Sequence, residues 1–265
     1  MNAVLKYPGA KNRIANWICG YIPSHNTYLE PFFGSGGVFF NKSKAKIETI
    51  NDLNSDVVNY FRVLRECPEE LIKLLELTPY ARNEYYDAYK ESENEIEKAR
   101  RFCVKCFMGF GCGNLYRNGF RSSQQSNSPK TALAWTKLPE TLRLATERLK
   151  DAQIENLPAV ELIKRYNTRD VFIYADPPYL SGTRKPYLYK HEMTEEQGHI
   201  ELLEILIEHL GKVLISGYDN PLYNDMLKDW TKEYKSTTAE RGFKRTEVIW
   251  RNYENIQLRI ENFIN

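Results

Sequence analysis

The sequence predicts an α/β fold, an open and mostly parallel sheet with helices packed on it. Three observations predict it. Short apolar or β-branched runs alternate with amphipathic stretches in both halves of the 265-residue chain. The first run, Thr27-Tyr28-Leu29, enters the glycine turn Gly34-Ser35-Gly36-Gly37, and a later one, Val171-Phe172-Ile173, ends on Tyr174-Ala175-Asp176-Pro177-Pro178-Tyr179. Open sheets of this kind bind ligands outside the carboxyl ends of their strands.

An amphipathic helix is expected over Ile14 to Ile22, stopped near Pro23, behind the basic and aromatic loop Lys6-Tyr7-Pro8-Gly9-Ala10-Lys11. Lys11 at the front of a helix opposes the macrodipole; its bland reading is a solvated surface lysine. The glycine turn is expected to open a second helix at Val38-Phe39-Phe40-Asn41, with free N–H groups at its start. Gly-x-Gly-Gly is not the dinucleotide fingerprint, and no Gly-Lys-Ser/Thr cradle follows, so a ligand without a pyrophosphate is preferred.

Ile47 to Asn54 reads as the second strand, with an acidic residue at its end. That residue is Asp52, 18 positions beyond Gly34, where nucleoside-binding α/β folds hold a ribose hydroxyl. The competing role is a helix cap, which Asn54 can supply in either case.

Beyond Asp56 the alternation stops until about Lys150. Helices are expected over Val57 to Leu64, Pro68 to Leu77, Glu93 to Phe107 and Pro139 to Lys150, with Glu91 to Glu95 as a solvated acidic face. Between them, Gly109 to Asn127 is rich in Gly, Asn, Arg, Gln and Ser, and no acid occurs from Gly109 to Lys137 although the chain has 35. Such a segment suits nucleic acid: Asn114, Arg117, Arg121 and Ser122 can reach bases or phosphates, and Lys130 a phosphate. Its bland reading is a surface loop. This organisation divides the chain into a core, residues 1–55 and 151–265, and a helical insertion, residues 56–150.

The alternation resumes with a strand at Ala152 to Leu157, a helix at Ala159 to Tyr166 and the strand at Val171. A basic-aromatic loop, Thr183 to Lys190, precedes a helix from Glu195 to Leu210 capped by Thr194, followed by a strand at Lys212 to Tyr218. His199 and His209 on that helix have no acid or nucleophile at matching spacing and read as surface or capping residues. Two strands, Glu233 to Thr238 and Glu247 to Tyr253, close the chain as an antiparallel pair around the basic loop Arg241 to Arg245.

Prolines after both Asp176 and Pro177 make the acidic segment stiff and extended. It offers two acceptors, the Asp176 carboxylate and the Pro177 carbonyl, beside the Tyr179 ring, a site for a planar base bearing an amino group. An ordinary Asp-Pro turn is the competing reading, and the full tetrapeptide behind a hydrophobic strand argues against it.

The formal net charge is +2 with a pI near 8.1, which neither demands nor excludes nucleic acid. Five cysteines without a disulfide-like framework suit a reducing cytoplasm. Cys103-x-x-Cys106 lacks a fourth zinc ligand nearby and lies in an apolar helical stretch, so buried thiols and no metal are expected. No apolar run is long enough to span a membrane, and no signal peptide is evident, which places the expected protein in the cytoplasm without a membrane partner.

Lys6-Tyr7-Pro8-Gly9-Ala10-Lys11, Glu30-Pro31-Phe32-Phe33-Gly34-Ser35-Gly36, Asn51-Asp52-Leu53-Asn54, Asp176-Pro177-Pro178-Tyr179 and Glu247 to Tyr253 occur in an order that resembles the Dam-like DNA adenine-N6 methyltransferases. The resemblance implies a Rossmann-like class I S-adenosylmethionine-dependent methyltransferase core, a seven-stranded mostly parallel sheet, with an inserted, mainly helical target-recognition domain. It implies S-adenosyl-L-methionine held by Tyr7, Lys11, Phe32, Gly34, Gly36, Asp52 and Asp176, and catalysis by Asp176, Pro177 and Tyr179. Double-stranded DNA is the implied partner, with a flipped adenine as target; a monomeric enzyme is expected, either solitary or accompanied by a cognate restriction endonuclease in the same host. A methyltransferase of the same fold acting on RNA or protein nitrogen is the alternative.

Overall fold

The computed structural model describes residues 1–112, 117–125, 130–180, 193, 195–238 and 244–254. Its strands are β1 (Thr27–Glu30), β2 (Ile47–Asn51), β3 (Ala152–Glu155), β4 (Val171–Ala175), β5 (Lys212–Tyr218), β6 (Thr231–Thr238) and β7 (Lys244–Arg251). They form one sheet in the order β3-β2-β1-β4-β5-β7-β6. β3, β2, β1, β4 and β5 pair in parallel, and β7 runs antiparallel to both β5 and β6. The closing strands are the expected antiparallel pair, with β7 inserted between β5 and β6.

Both faces of the sheet are buried, as a parallel sheet requires. On β4, Phe172 and Tyr174 join one hydrophobic cluster while Val171, Ile173 and Ala175 join the other. The second cluster is closed by α8 (Ala159–Arg165), α9 (Glu196–Ile207) and α10 (Pro221–Met226). The first takes α1 (Ala15–Cys19), α2 (Ser55–Glu66), α3 (Pro68–Leu77), α5 (Glu95–Met108) and α7 (Leu138–Leu149), so much of residues 56–150 forms a layer of the sandwich itself. α4 (Arg82–Asp87) and α6 (Thr131–Thr136) complete that half. A buried ion cluster ties it down: Glu48 on β2 takes Lys42 Nζ at 2.5 Å and Arg148 Nη2 of α7 at 2.7 Å.

Two local expectations need correction. No helix follows the glycine turn: residues 31–46 are turns, with isolated bonds such as Phe40 N to Gly36 O and Asn41 N to Val38 O. β2 begins only five residues after Lys42, which leaves no room for a helix to propagate. His199 is not a surface residue. It is wholly buried, with Nδ1 bonded to Tyr223 Oη and Nε2 to the Met193 carbonyl, whereas His209 does cap, accepting from Gly211 N at 3.0 Å. Glu195 occupies the N-cap of α9 without a side-chain bond; Thr194, like the loop 183–190 and Arg241, lies outside the described residues.

Cys103 and Cys106 are buried thiols in α5, and burial pushes the Cys103 thiol up to about 12. Among the described residues no helix is long and apolar enough to cross a membrane.

Candidate active site

The chain leaves β1 outward to β2 and β3, then returns to place β4 against the other side of β1. That reversal opens a crevice at the carboxyl ends of β1 and β4, where open α/β sheets bind ligands. A cleft of about 450 Å³ lies there, lined by the N-terminal loop, the glycine turn, the end of β2 and the end of β4.

The cleft brings Tyr7, Lys11, Phe32, Gly34, Asp52 and Asp176 together. Gly36 is not among its lining residues. Its φ is +67°, and a Cβ there would lie 2.5 Å from Phe33 Cζ and 2.7 Å from Phe40 Cε2, so its place is beneath the turn, packed against rings.

Asp52 is held by the turn that it was expected to serve. Gly34 N donates to Oδ2 and Asn54 N to Oδ1, each at 2.8 Å. Burial pushes its carboxyl up to about 6, partly opposed by the Asn54 and Gly34 donors. Asn54 also caps α2, accepting from Asp56 N at 3.0 Å, and its Nδ2 donates to Tyr7 Oη at 3.1 Å. The cap role and the site role therefore fall on neighbouring residues, and Asn54 ties the N-terminal loop to both. Glu30, at the end of β1, also lines the cleft: burial drives its carboxyl up to about 8 although Tyr28 Oη donates to it at 2.6 Å.

Asp176 stands one residue beyond β4 with its two oxygens in different hands. Lys11 Nζ is 2.8 Å from Oδ2, and Ser216 Oγ on β5 donates to Oδ1 at 2.8 Å. Lys11 is buried, 7% exposed, and also donates to the Gly9 carbonyl at 3.0 Å, so it is no solvated surface lysine. Its ammonium lies 4.8 Å from the centre of the Tyr179 ring. Tyr179 is fixed at its far end: the hydroxyl donates to Glu247 Oε2 at 2.8 Å, and the ring meets Tyr218 edge-on at 4.4 Å. Pro177 is buried and Pro178 lines the cleft.

The acid-free segment leaves α5 as a short antiparallel pairing. Phe110 N bonds Gly119 O at 2.8 Å and Arg121 N bonds Met108 O at 2.7 Å, with Gly109 bridged to Phe120. Tyr80 and Tyr85 hydroxyls anchor it by donating to the Arg121 and Asn118 carbonyls. Arg117 is exposed, its guanidinium 4.8 Å above Tyr86, and Ser122 and Lys130 are exposed nearby in the chain. Arg121 is half-buried, and Asn114 lies outside the described residues.

Ser216, Glu247, Asn54 and Glu30 were not singled out as site residues from the sequence. For Glu30 and Glu247 the signal was present, because both stand inside the motifs that carried the resemblance. Asn54 also stands inside one of those motifs and is the expected α2 cap; Ser216 acts through cross-strand register, which no motif spacing reveals.

A sheet of this order, with an acid at the end of β2 and a carboxylate-proline segment at the end of β4, defines the class as a Rossmann-like methyltransferase. The profile of the D12 class N6 adenine-specific DNA methyltransferases matches residues 7–242, and the chain belongs to that family. It is 30% identical to the Type II methyltransferase M1.LlaDCHI of Lactococcus lactis subsp. cremoris, over 94% of this chain and 95% of that protein. It is 25% identical to the DNA adenine methylase of Escherichia coli (strain K12), over 88% of this chain and 85% of that one. A third relative, the Type II methyltransferase M.MjaIII of Methanocaldococcus jannaschii, is 27% identical over 66% of this chain and 68% of its own length. The chain is thus an adenine-specific DNA methyltransferase.

Proposed function

We propose that the enzyme uses S-adenosyl-L-methionine and methylates N6 of an adenine drawn out of duplex DNA, with Asp176 as the residue that accepts from the amino group. The observation that carries this reading is the Asp176 carboxylate, fixed between Lys11 and Ser216 at the rim of the cleft and followed by two prolines.

The cleft fits such a cofactor. Its volume of about 450 Å³ falls within the ~300–1,000 Å³ range of small-molecule sites. Asp52 is half-buried and lines it; each carboxylate oxygen has one backbone donor and keeps acceptor capacity for a hydroxyl. The Gly34 backbone, at φ +52°, lies under the Tyr7 ring and keeps the turn open to a close approach. Tyr7, Lys11, Phe32, Gly34 and Asp52 are the cofactor contacts that we propose on this ground. S-Adenosyl-L-methionine, when bound, supplies an electrophilic methyl group on a sulfonium.

Adenine N6 is a poor nucleophile because its lone pair is delocalised into the ring. Asp176 and the Pro177 carbonyl, each accepting one N–H, favour a pyramidal nitrogen with the lone pair directed outward. Tyr179 offers the ring on which the base stacks. No side chain needs to form a covalent bond; positioning and electrostatics supply the acceleration. The target atom is inaccessible in a stacked duplex, so the base is extruded at a cost of a few kcal/mol. Arg117, Arg121, Ser122 and Lys130, with Asn114, are the proposed DNA contacts, on a segment free of opposing carboxylates. In this reading residues 1–55 and 151–265 carry cofactor and chemistry, and residues 56–150 carry target recognition through their acid-free stretch, while α2, α3, α5 and α7 of the same range also close one face of the sheet.

The test is transfer of a labelled methyl group from S-adenosyl-L-methionine to duplex DNA, RNA and protein in parallel, followed by nucleoside analysis. N6-methyldeoxyadenosine from the duplex is the expected product. Label in cytosine, RNA or protein alone overturns the proposal.

A further inference from the structure

Asp176 takes its two polar partners from opposite directions, and the partner on the sheet side belongs to a longer chain of hydroxyls. The β4–β5 register pairs Ala175 with Ile215, which sets Asp176 beside Ser216 on the neighbouring parallel strand. Ser216 is wholly buried and donates its only proton to Asp176 Oδ1 at 2.8 Å. The 2.9 Å contact between Ser216 Oγ and Tyr174 Oη must then have Tyr174 as its donor. Tyr174 is also buried, 1% exposed, and stands two residues before Asp176 on β4.

We propose that Tyr174 and Ser216 are positioning residues: a directed chain, Tyr174 O–H to Ser216 O–H to the Asp176 carboxylate, sets the rotation of the carboxyl plane that meets the adenine amino group. The proposal rests on the reading of Asp176 as the amine acceptor. The terminal torsion of an aspartate is broad, so one anchor leaves the carboxyl plane free to turn. Lys11 supplies that one anchor, from a loop and through a long side chain. Ser216 supplies the second from the centre of a strand, and Tyr174 fixes which way the serine hydroxyl points. With Oδ1 held from the sheet, the remaining lone pairs are aimed at the cleft. Hydrogen bonds in series polarise one another, so the chain strengthens the contact at Asp176.

The test uses the full-length protein and the variants Ser216→Ala, Tyr174→Phe, the double variant and Asp176→Ala. Loss of orientation should lower kcat roughly 10- to 100-fold in Ser216→Ala, in line with the ~100-fold cost of a small misplacement of a reacting group. Tyr174→Phe keeps the ring and should lose a few-fold. Cofactor Kd and the KM for DNA should stay within about twofold in both, because Ser216 does not line the cleft and Tyr174, which does, keeps its ring in Tyr174→Phe. The double variant should be no slower than Ser216→Ala, since Tyr174 acts only through the serine. Losses that multiply, a loss in KM in place of kcat, or wild-type turnover of Ser216→Ala overturns the relay. If Ser216→Ala does not fold, Tyr174→Phe decides: a lower kcat at unchanged KM supports the chain, and wild-type kcat overturns it. Turnover by Asp176→Ala would instead overturn the role of Asp176 itself, whatever the serine variant does.

Discussion

Replacing Gly36 by alanine separates two costs that the glycine turn avoids. At φ +67° an L side chain is strained, which costs about 1–2 kcal/mol. The added Cβ would also stand 2.5 Å from Phe33 and 2.7 Å from Phe40, inside a ring cluster that includes Phe39 and Phe61. Overpacking of that kind costs about 1–3 kcal/mol. The sum, about 2–5 kcal/mol, corresponds to a melting temperature lower by roughly 4–20 °C in a chain of this size. Gly111 provides the control, because its φ is +74° and none of the described residues lies within 4 Å of its Cβ position. Gly111→Ala should bear only the backbone cost, a fall of roughly 2–8 °C. Thermal denaturation of both variants checks the difference. Because Phe33 lines the cleft, Gly36→Ala should also weaken cofactor binding, read by calorimetry. A Gly36→Ala protein that melts no lower than Gly111→Ala would refute the reasoning that ring contact, and not the turn alone, demands glycine here.

Binding should also follow the state of Asp52, whose carboxyl burial raises from 3.8 to about 6. Hydroxyl donors bind the charged form better, so cofactor affinity should hold above pH 7 and fall about tenfold per unit below pH ~6. Calorimetry from pH 5 to 8 checks this, and a flat profile contradicts it. The sign is opposite for folding: the raised carboxyl disfavours the folded state above pH about 6, and that penalty fades as the group protonates between about 6 and 3.8. Arg117→Ala or Arg121→Ala should weaken DNA association; a changed set of methylated sites marks base readout, and a uniform loss with a shallower salt slope marks phosphate contact. Glu247→Ala releases the Tyr179 hydroxyl and should lower kcat roughly tenfold, whereas Glu247→Gln, which still offers an acceptor, should recover most of it; equal losses in steady-state assays would contradict an anchoring role.

The five parallel strands were legible because β4 and β5 are short apolar runs, and β1, β2 and β3 are short stretches with apolar or β-branched residues, all closed by turn residues; the chemistry was legible because it clusters where those strands end. Asp52 and Asp176 are the clearest cases: each closes a strand, and the fold brings both to one cleft. The helix expected after the glycine turn failed on a long-range constraint. Gly36 packs under Phe33 and Phe40 and β2 starts soon after, and neither fact is local to the turn. His199 was misread for a related reason, since its partners Tyr223 and Met193 come from other elements. The insertion of β7 between β5 and β6 could not be read from two alternating strands, yet it is what brings Glu247 to Tyr179. Ser216 looks like any small residue in a strand until register sets it beside Asp176.

The central claim is that the Asp176 carboxylate directs methyl transfer to adenine N6. Adenine methylation mapped across DNA from cells expressing the wild-type protein or Asp176→Ala tests it most directly, with DNA and cofactor binding measured on the purified proteins. The account predicts N6-methyladenine in one sequence context for the wild type and none above background for the variant, while the variant binds DNA to within a few-fold of wild type. Methylation by Asp176→Ala at the same sites would contradict it.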